Sequence, residues 1–185
     1  MNAENTDEAV VTAMDADAIR KAIRRIAHEI IEQHTDLPRV VLAGIPTRGV
    51  EVAKRIAAHI AEVEGVRLDT GVVDVSMHRD DLAMRGRMTA LETTTLPIDL
   101  DGRPLVLVDD VLYTGRSCRA AMDAVASFGR PSLIQLAVLV DRGHRELPIR
   151  ADYVGRNLPT NRSEKIRVRF ENIDGEPDSV SIVKP

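Results

Sequence analysis

Leu105-Val106-Leu107-Val108-Asp109-Asp110-Val111-Leu112-Tyr113-Thr114-Gly115-Arg116-Ser117 is the stretch on which the fold turns. Four consecutive apolar residues suit a strand buried on both faces, as in a parallel sheet. Two adjacent carboxylates follow, then a Thr-Gly turn, and then a helix expected from about Ser117 to Phe128. Backbone N–H groups of Tyr113 to Ser117 at the first turn of that helix form an anion nest suited to phosphate, with the Thr114 and Ser117 hydroxyls as further donors. Gly115 permits close approach of the backbone. Asp109 and Asp110, at the end of the strand, stand where they can accept hydrogen bonds from vicinal hydroxyls of a sugar whose 5′-phosphate fills the nest. The pattern reads as a ribose-5-phosphate cradle, although an Asp-Asp pair behind a strand also serves as a plain capping turn.

Outward from this motif the chain alternates helices and apolar runs. Asp15 or Asp17 caps a helix to about His34, with Ile19, Ile23, Ile26 and Ile30 on one stripe. A strand is expected over Arg39 to Ile45, a helix over about Val50 to Glu64, a strand over about Val66 to Met77, and a last core strand over Leu133 to Val140. The fold class is therefore α/β, a mainly parallel sheet covered by helices on both faces. The chain reads as a single domain over 1–185, with a core at about 15–141. Residues 79–103 are polar and broken by Gly86, Pro97 and Gly102, the mark of a flexible binding loop. Ligands of such sheets bind beyond the carboxyl ends of the strands, where the loops 44–49, 79–97 and 109–117 fall.

Composition narrows the function classes. The 185 residues carry 25 Lys and Arg against 29 Asp and Glu, a net charge of −4, with two Tyr, two Phe and no Trp. So few rings argue against binding single strands on aromatic platforms. The net charge hides an asymmetry: residues 141–169 hold eight basic side chains against four acidic ones, while 1–18 hold five acids and no base. Cys118 is the single cysteine, which excludes an intrachain disulfide and a Cys-rich zinc site and fits a reducing compartment. No apolar run approaches a membrane span and no secretory leader is evident, so a cytoplasmic protein is expected. Gly44 and Gly49 have Walker-A spacing, but Val50-Glu51 stands where Lys-Ser/Thr is required.

The 105–117 stretch closely resembles the PRPP-binding motif of the type I phosphoribosyltransferases. Ile26-Ala27-His28-Glu29-Ile30-Ile31-Glu32, Thr47-Arg48-Gly49, His78-Arg79-Asp80-Asp81-Leu82 and the run from Gln135 to Tyr153 extend the likeness to the PyrR family, bacterial pyrimidine-operon regulators with uracil phosphoribosyltransferase activity. The resemblance implies a type I phosphoribosyltransferase fold with a small hood, about 142–170 plus the C-terminal tail. It also implies formation of UMP and pyrophosphate from uracil and PRPP with Mg2+, held mainly by substrate oxygens and water. Asp109 and Asp110 would hold the ribose, and the run Val111, Leu112, Tyr113, Thr114, Gly115, Arg116 and Ser117 the 5′-phosphate. Thr47, Arg48 and Gly49 would take the pyrophosphate, on a loop that carries a cis non-proline peptide in relatives, and Arg79 would close over it as a catalytic residue. Backbone groups near Val140 and Asp141 would read the base. Arg79-Asp80-Asp81 also reads as a solvated, salt-bridged loop.

Arg20, Lys21, Arg24, Arg25 and His28 fall on the solvent side of the first helix, and Arg142, His144, Arg145 and Arg150 follow the last core strand. Taken alone, such runs are usually solvated faces. The resemblance makes them the RNA-contacting face of a homodimer or dimer-based assembly. That face would bind a hairpin in the pyrimidine (pyr) mRNA leader in response to UMP or UTP, through transcription attenuation or translational repression. A salvage phosphoribosyltransferase without any RNA role is the alternative. Pro46 and Gln33 stand where relatives commonly carry basic residues, and Arg24 adds a charge.

Overall fold

A computed structural model describes residues 9–75, 94–97 and 99–185. Its centre is a five-stranded, all-parallel sheet. The strands are β2 (Val41–Gly44), β3 (Asp69–Val72), β4 (Pro104–Leu112), β5 (Leu133–Asp141) and β6 (Tyr153–Asn157), in the order β3-β2-β4-β5-β6. Alternation of side chains explains why the central runs are apolar throughout. Leu105 and Leu107 face one core, with Val41, Ala43 and α3 (Arg116–Val125), whereas Val106 and Val108 face the other, with Leu42, α1 (Ala16–Gln33) and α2 (Arg48–Glu64). Asp15 caps α1 by accepting the Ala18 N–H at 2.8 Å, and Gly65, at φ +67°, ends α2.

The α/β architecture is as expected, with five differences in detail. The strand β4 runs on through both aspartates to Leu112, because Asp109, Val111 and Leu112 pair with Val138, Val140 and Asp141 of β5. Of the strand expected over 66–77, the described residues up to 75 form β3 at Asp69–Val72. The described residues 94–97 and 99–103 are not an open loop: Thr95 bridges Val72, Leu100 is fully buried, and buried Arg103 joins Asp69, Asp99 and the Arg39 carbonyl. The segment 153–157, expected in the hood, is the fifth core strand. The hood itself is a separate antiparallel sheet, β1-β8-β7, that joins the two acidic ends of the chain: β1 (Val10–Met14) and β7 (Lys165–Arg169) flank β8 (Ser179–Val183), and the short helix α4 (Glu171–Asp174) connects β7 to β8.

The order of the core strands fixes the position of the site. From β2 the chain first moves outward to β3, then crosses to the other side of β2 for β4, so the loops after β2 and β4 diverge and leave a crevice at the carboxyl edge.

Candidate functional site

A cleft of about 740 Å³ opens at this crevice, lined by Ile45 to Arg48, the whole run Asp109 to Cys118, Arg142, Glu146 and Arg162 to Ile166. Its floor is the β4–α3 turn. Gly115 caps α3 at φ +93°, a conformation L side chains rarely adopt, and a Cβ there would lie 3.3 Å from Ile149. The Thr114 hydroxyl accepts the Arg116 N–H at 3.4 Å, shaping the first turn, and the partial positive charge of the α3 N-terminus faces the cleft with Asp109 and Asp110 beside it. Each aspartate is only partly buried. An Asp109 carboxylate oxygen accepts the Asp110 N–H and an Asp110 oxygen accepts the Val111 N–H, both at 2.9 Å.

The opposite wall is the β2–α2 loop. The Pro46–Thr47 peptide is cis, and α2 begins at Arg48. A Cβ on Gly49 would stand 2.4 Å from the Val108 carbonyl oxygen, so only glycine lets the start of α2 pack against the end of β4. That contact brings Thr47 and Arg48 up to Asp109. Arg48 is anchored from the hood: its guanidinium donates to Asp174 at 2.5 Å, and its Nε is buried without a hydrogen-bond partner among the described residues. Burial alone would raise the Asp174 pKa. The Phe170 N–H and the Arg48 guanidinium outweigh it and hold that carboxyl below the usual carboxylate range.

The segment after β5 folds back over the β4–α3 turn. The Thr114 carbonyl accepts the N–H groups of Glu146 and Leu147, the Glu146 carboxylate pairs with Arg116 at 2.9 Å, and Arg145 donates to the Tyr113 carbonyl while pairing with Asp141. Arg142 is 6% exposed. It lies 4.2 Å over the Tyr113 ring and donates to Thr160 Oγ1 and to the carbonyls of Asn161 and Glu164. Burial pushes the neighbouring Cys118 thiol up to about 12, with Asp109 and Asp152 adding to the shift, so the only cysteine is an inert cleft-side group.

Thr47, Arg48 and the run from Asp109 to Ser117 therefore converge on one cleft, with Gly49 packed behind it. Arg79 lies outside the described residues. Val140 and Asp141, expected near the base, sit within the β5–β6 ladder, where the Asp141 carbonyl already accepts the Leu158 N–H at 2.8 Å. Sequence reasoning missed Glu146 and the 162–166 wall. The signal available is the basic excess of 141–169, of which the sequence reading uses only Arg142, His144, Arg145 and Arg150.

The basic face divides in two. Arg20, Lys21, Arg24, Arg25 and His28 are all exposed on α1. Arg20 and Lys21 pair with Asp17, and Arg25 donates to the Gly155 carbonyl of β6, next to exposed Arg156. After β5, Arg150 is exposed and His144 half-buried, its ring on the Thr160 carbonyl, whereas Arg145 is tied inward. Arg142 does not lie on an exposed face, because its fork is consumed by three acceptors inside the cleft wall.

The chain matches the phosphoribosyl transferase domain family over residues 13–170. It is 56% identical over 171 residues to the bifunctional protein PyrR of a Roseiflexus species, covering 92% of this chain and 93% of that one. It is 55% identical to the PyrR of Thermus thermophilus, covering 88% and 90%, and 49% identical to that of Listeria monocytogenes, covering 94% and 97%. Among solved structures it superposes on a hypoxanthine-guanine phosphoribosyltransferase of Bacillus anthracis with a TM-score of 0.71 at 15% identity, over 94% of this chain and 97% of that one. A hypoxanthine phosphoribosyltransferase of Staphylococcus aureus gives 0.70 at 16%, over 100% and 98%. The purine enzymes share the fold, and the close relatives share the sequence almost end to end: this chain belongs to the phosphoribosyltransferase family and, within it, to the PyrR proteins.

Proposed function

We propose that the chain joins uracil to the ribose 5-phosphate of PRPP, giving UMP and pyrophosphate, and that it regulates pyrimidine genes by binding a hairpin in their mRNA when uridine nucleotides occupy the same cleft. The observation that carries the first half is the convergence of Asp109, Asp110 and the α3 N-terminus with the Pro46–Gly49 loop in one cleft. The nest suits a 5′-phosphate, the two carboxylates suit ribose hydroxyls, and the cleft is long enough to continue onto Thr47 and Arg48, where a pyrophosphate group meets a guanidinium and the first backbone N–H groups of α2.

Departure of pyrophosphate leaves positive charge on the ribose ring. Asp109 and Asp110 stabilise that charge through space while orienting the sugar, and Arg48 with the α2 N-terminus stabilises the negative charge of the leaving group. Neither carboxylate needs to form a bond. Arg79, on the segment that follows β3, is proposed to close over the pyrophosphate and exclude water.

Among the described residues no three His, Cys, Asp or Glu side chains converge as a metal cage. Two adjacent carboxylates beside a phosphate nest nevertheless fit a magnesium ion that takes most of its oxygens from substrate and water, as this hard cation commonly does. When bound, it offsets the charge of the pyrophosphate.

The regulatory half rests on the α1 face, Arg20, Lys21, Arg24, Arg25 and His28, continued by Arg156 beside the Gly155 carbonyl that Arg25 holds, with exposed Arg150 as a further cation after β5. Its charges supply affinity for phosphates, while unpaired loop bases supply specificity. Two assays test the reading. Uracil, PRPP and Mg2+ should give UMP only when the protein is present. A gel shift with the leader RNA of the protein's own pyrimidine genes should tighten when UMP is added. Binding no tighter than to an unrelated hairpin would leave only the salvage enzyme.

A further inference from the structure

A second cavity, of about 400 Å³, lies between α1 and α2 and belongs to no part of the cleft described above. Its floor is apolar, Ile23 and Ala58. Its rim carries Arg20 and Arg24 from α1, and its far wall is Arg55, His59 and Glu62 of α2 with Asp178 from the segment before β8. The wall is preorganised. Arg55 pairs with Glu51 and Asp178 and stacks 4.5 Å over the Phe170 ring. His59, 8% exposed, contacts Glu62 through Nδ1 at 3.3 Å and faces His28 edge-on, the two Nε2 atoms 3.5 Å apart.

The lining selects among occupants. Glu62 and Asp178 oppose a bare anion, since a free phosphate would meet two carboxylates as well as the guanidinium groups. An apolar helix would have to bury Arg24, which makes no ion pair among the described residues, together with a partly charged wall. A flat group with an apolar face, N–H donors on its edge and a phosphate at its margin satisfies all of these at once: the base stacks on the apolar floor and the guanidinium plane, its donors meet Glu62, and the backbone phosphate meets Arg20 and Arg24. At about 400 Å³ the cavity is near the small end of ligand pockets, roughly 300–1,000 Å³, and is ample for one base. It also opens beside the exposed cations of α1, so an RNA lying on that face passes its mouth.

We infer that the α1–α2 groove captures one unstacked base, carrying an N–H donor edge, from the loop of the bound RNA hairpin. The proposal rests on the regulatory reading above and adds to it the place where sequence is read. It also explains how a chain with four aromatic residues reads unpaired RNA, since arginine planes serve as stacking surfaces where rings are absent.

The test uses the full-length protein with UMP and a hairpin transcribed from its own pyrimidine leader, with single abasic substitutions placed in turn around the loop. Ala58→Leu fills the groove from an exposed helix position and leaves the cleft residues untouched. Glu62→Gln removes the carboxylate charge and turns one of its two acceptor oxygens into a donor, with almost no change of shape. One abasic position should weaken binding roughly tenfold, the scale of one stacked base. Ala58→Leu should weaken the intact hairpin by a similar factor, and the two changes together should cost no more than either alone, with UMP formation unchanged. Multiplicative losses, or full affinity in both Ala58→Leu and Glu62→Gln, would overturn the base pocket while leaving RNA binding elsewhere on the face intact. A change in the sedimentation of Ala58→Leu would overturn it in favour of a contact between copies of the chain. Failure of the wild-type protein to prefer its own leader would remove the regulatory reading itself, and the pocket with it.

Discussion

Arg142 shows how far one side chain's role depends on partners distant in sequence. In sequence it is one of a series of cations after the last core strand. In the structure its guanidinium is a tie between β5 and the 160–164 turn, donating to Thr160, Asn161 and Glu164 and covering the Tyr113 ring. Charge alone does not meet these requirements, because the three acceptors need the planar fork. Arg142→Lys should therefore destabilise the fold by about 2–3 kcal/mol, the scale of one to two lost hydrogen bonds to a charged donor, since the ammonium keeps part of the set. Arg150→Lys, at an exposed position, should leave stability unchanged. Chemical denaturation of the two variants checks the contrast, and equal stability would place Arg142 back among surface cations. Arg145 is the intermediate case: it pairs with Asp141 and holds the Tyr113 carbonyl, so its first duty is to the β4–α3 turn.

At the scale of elements, the hood is held on the core by α4 and the segment after it. Asp174 reaches Arg48 at the start of α2, and Asp178 reaches Arg55 one to two turns further along. For both carboxyls burial acts to raise the pKa, but hydrogen bonds and the paired guanidinium groups outweigh it, so both pKa values lie below the usual range. A carboxyl whose pKa is lower in the folded state contributes stability that is fully present above its unfolded value, near 4, and is lost as pH falls through the folded value. Asp174→Asn with Asp178→Asn should lower the Tm at neutral pH and flatten its fall below about pH 4. Parallel melting curves for wild type and variant across the acid range would contradict the assignment. The same elements mark what sequence could and could not deliver. The strand Leu105–Val108, the α1 stripe of Ile19, Ile23, Ile26 and Ile30, and the Thr-Gly turn were legible because their signals are local: an unbroken apolar run, a 3.6-residue period and a glycine where positive φ is needed. The extension of β4 through two aspartates was not, because it depends on pairing with β5. The β1–β8–β7 sheet was not either, since Val10 finds its partner at Val183 and each acidic end alone reads as a tail.

For the molecule as a whole, the net charge of −4 conceals a division of labour. In the acidic C-terminal segment Asp174 and Asp178 are spent on fixing arginines of α2. Part of the basic excess of 141–169 is spent around the cleft, where Arg142 and Arg145 are tied and Arg162 and Lys165 line the wall. Across α1 and 141–169 the exposed cations are the α1 set with Arg156 beside it, next to the α1–α2 groove, together with Arg150 after β5 and Arg162, Lys165 and Arg167 of the 162–169 segment. Of the candidate site, the β4–α3 turn and the β2–α2 loop were readable as motifs. The 162–166 wall was not, because only the return of the chain from β6 to β7 brings it to the cleft.

The account stands on the two carboxylates at the end of β4. The initial rate of UMP formation from uracil and saturating PRPP, measured for wild type and for Asp109→Asn with Asp110→Asn at matched Tm, tests them most directly. Loss of the ribose anchor and of the charge opposite the developing cation should lower that rate by at least about a hundredfold, the range typical of removing preorganised electrostatic stabilisation. A rate within twofold of wild type would show that Asp109 and Asp110 only cap a turn, and that the cradle lies elsewhere.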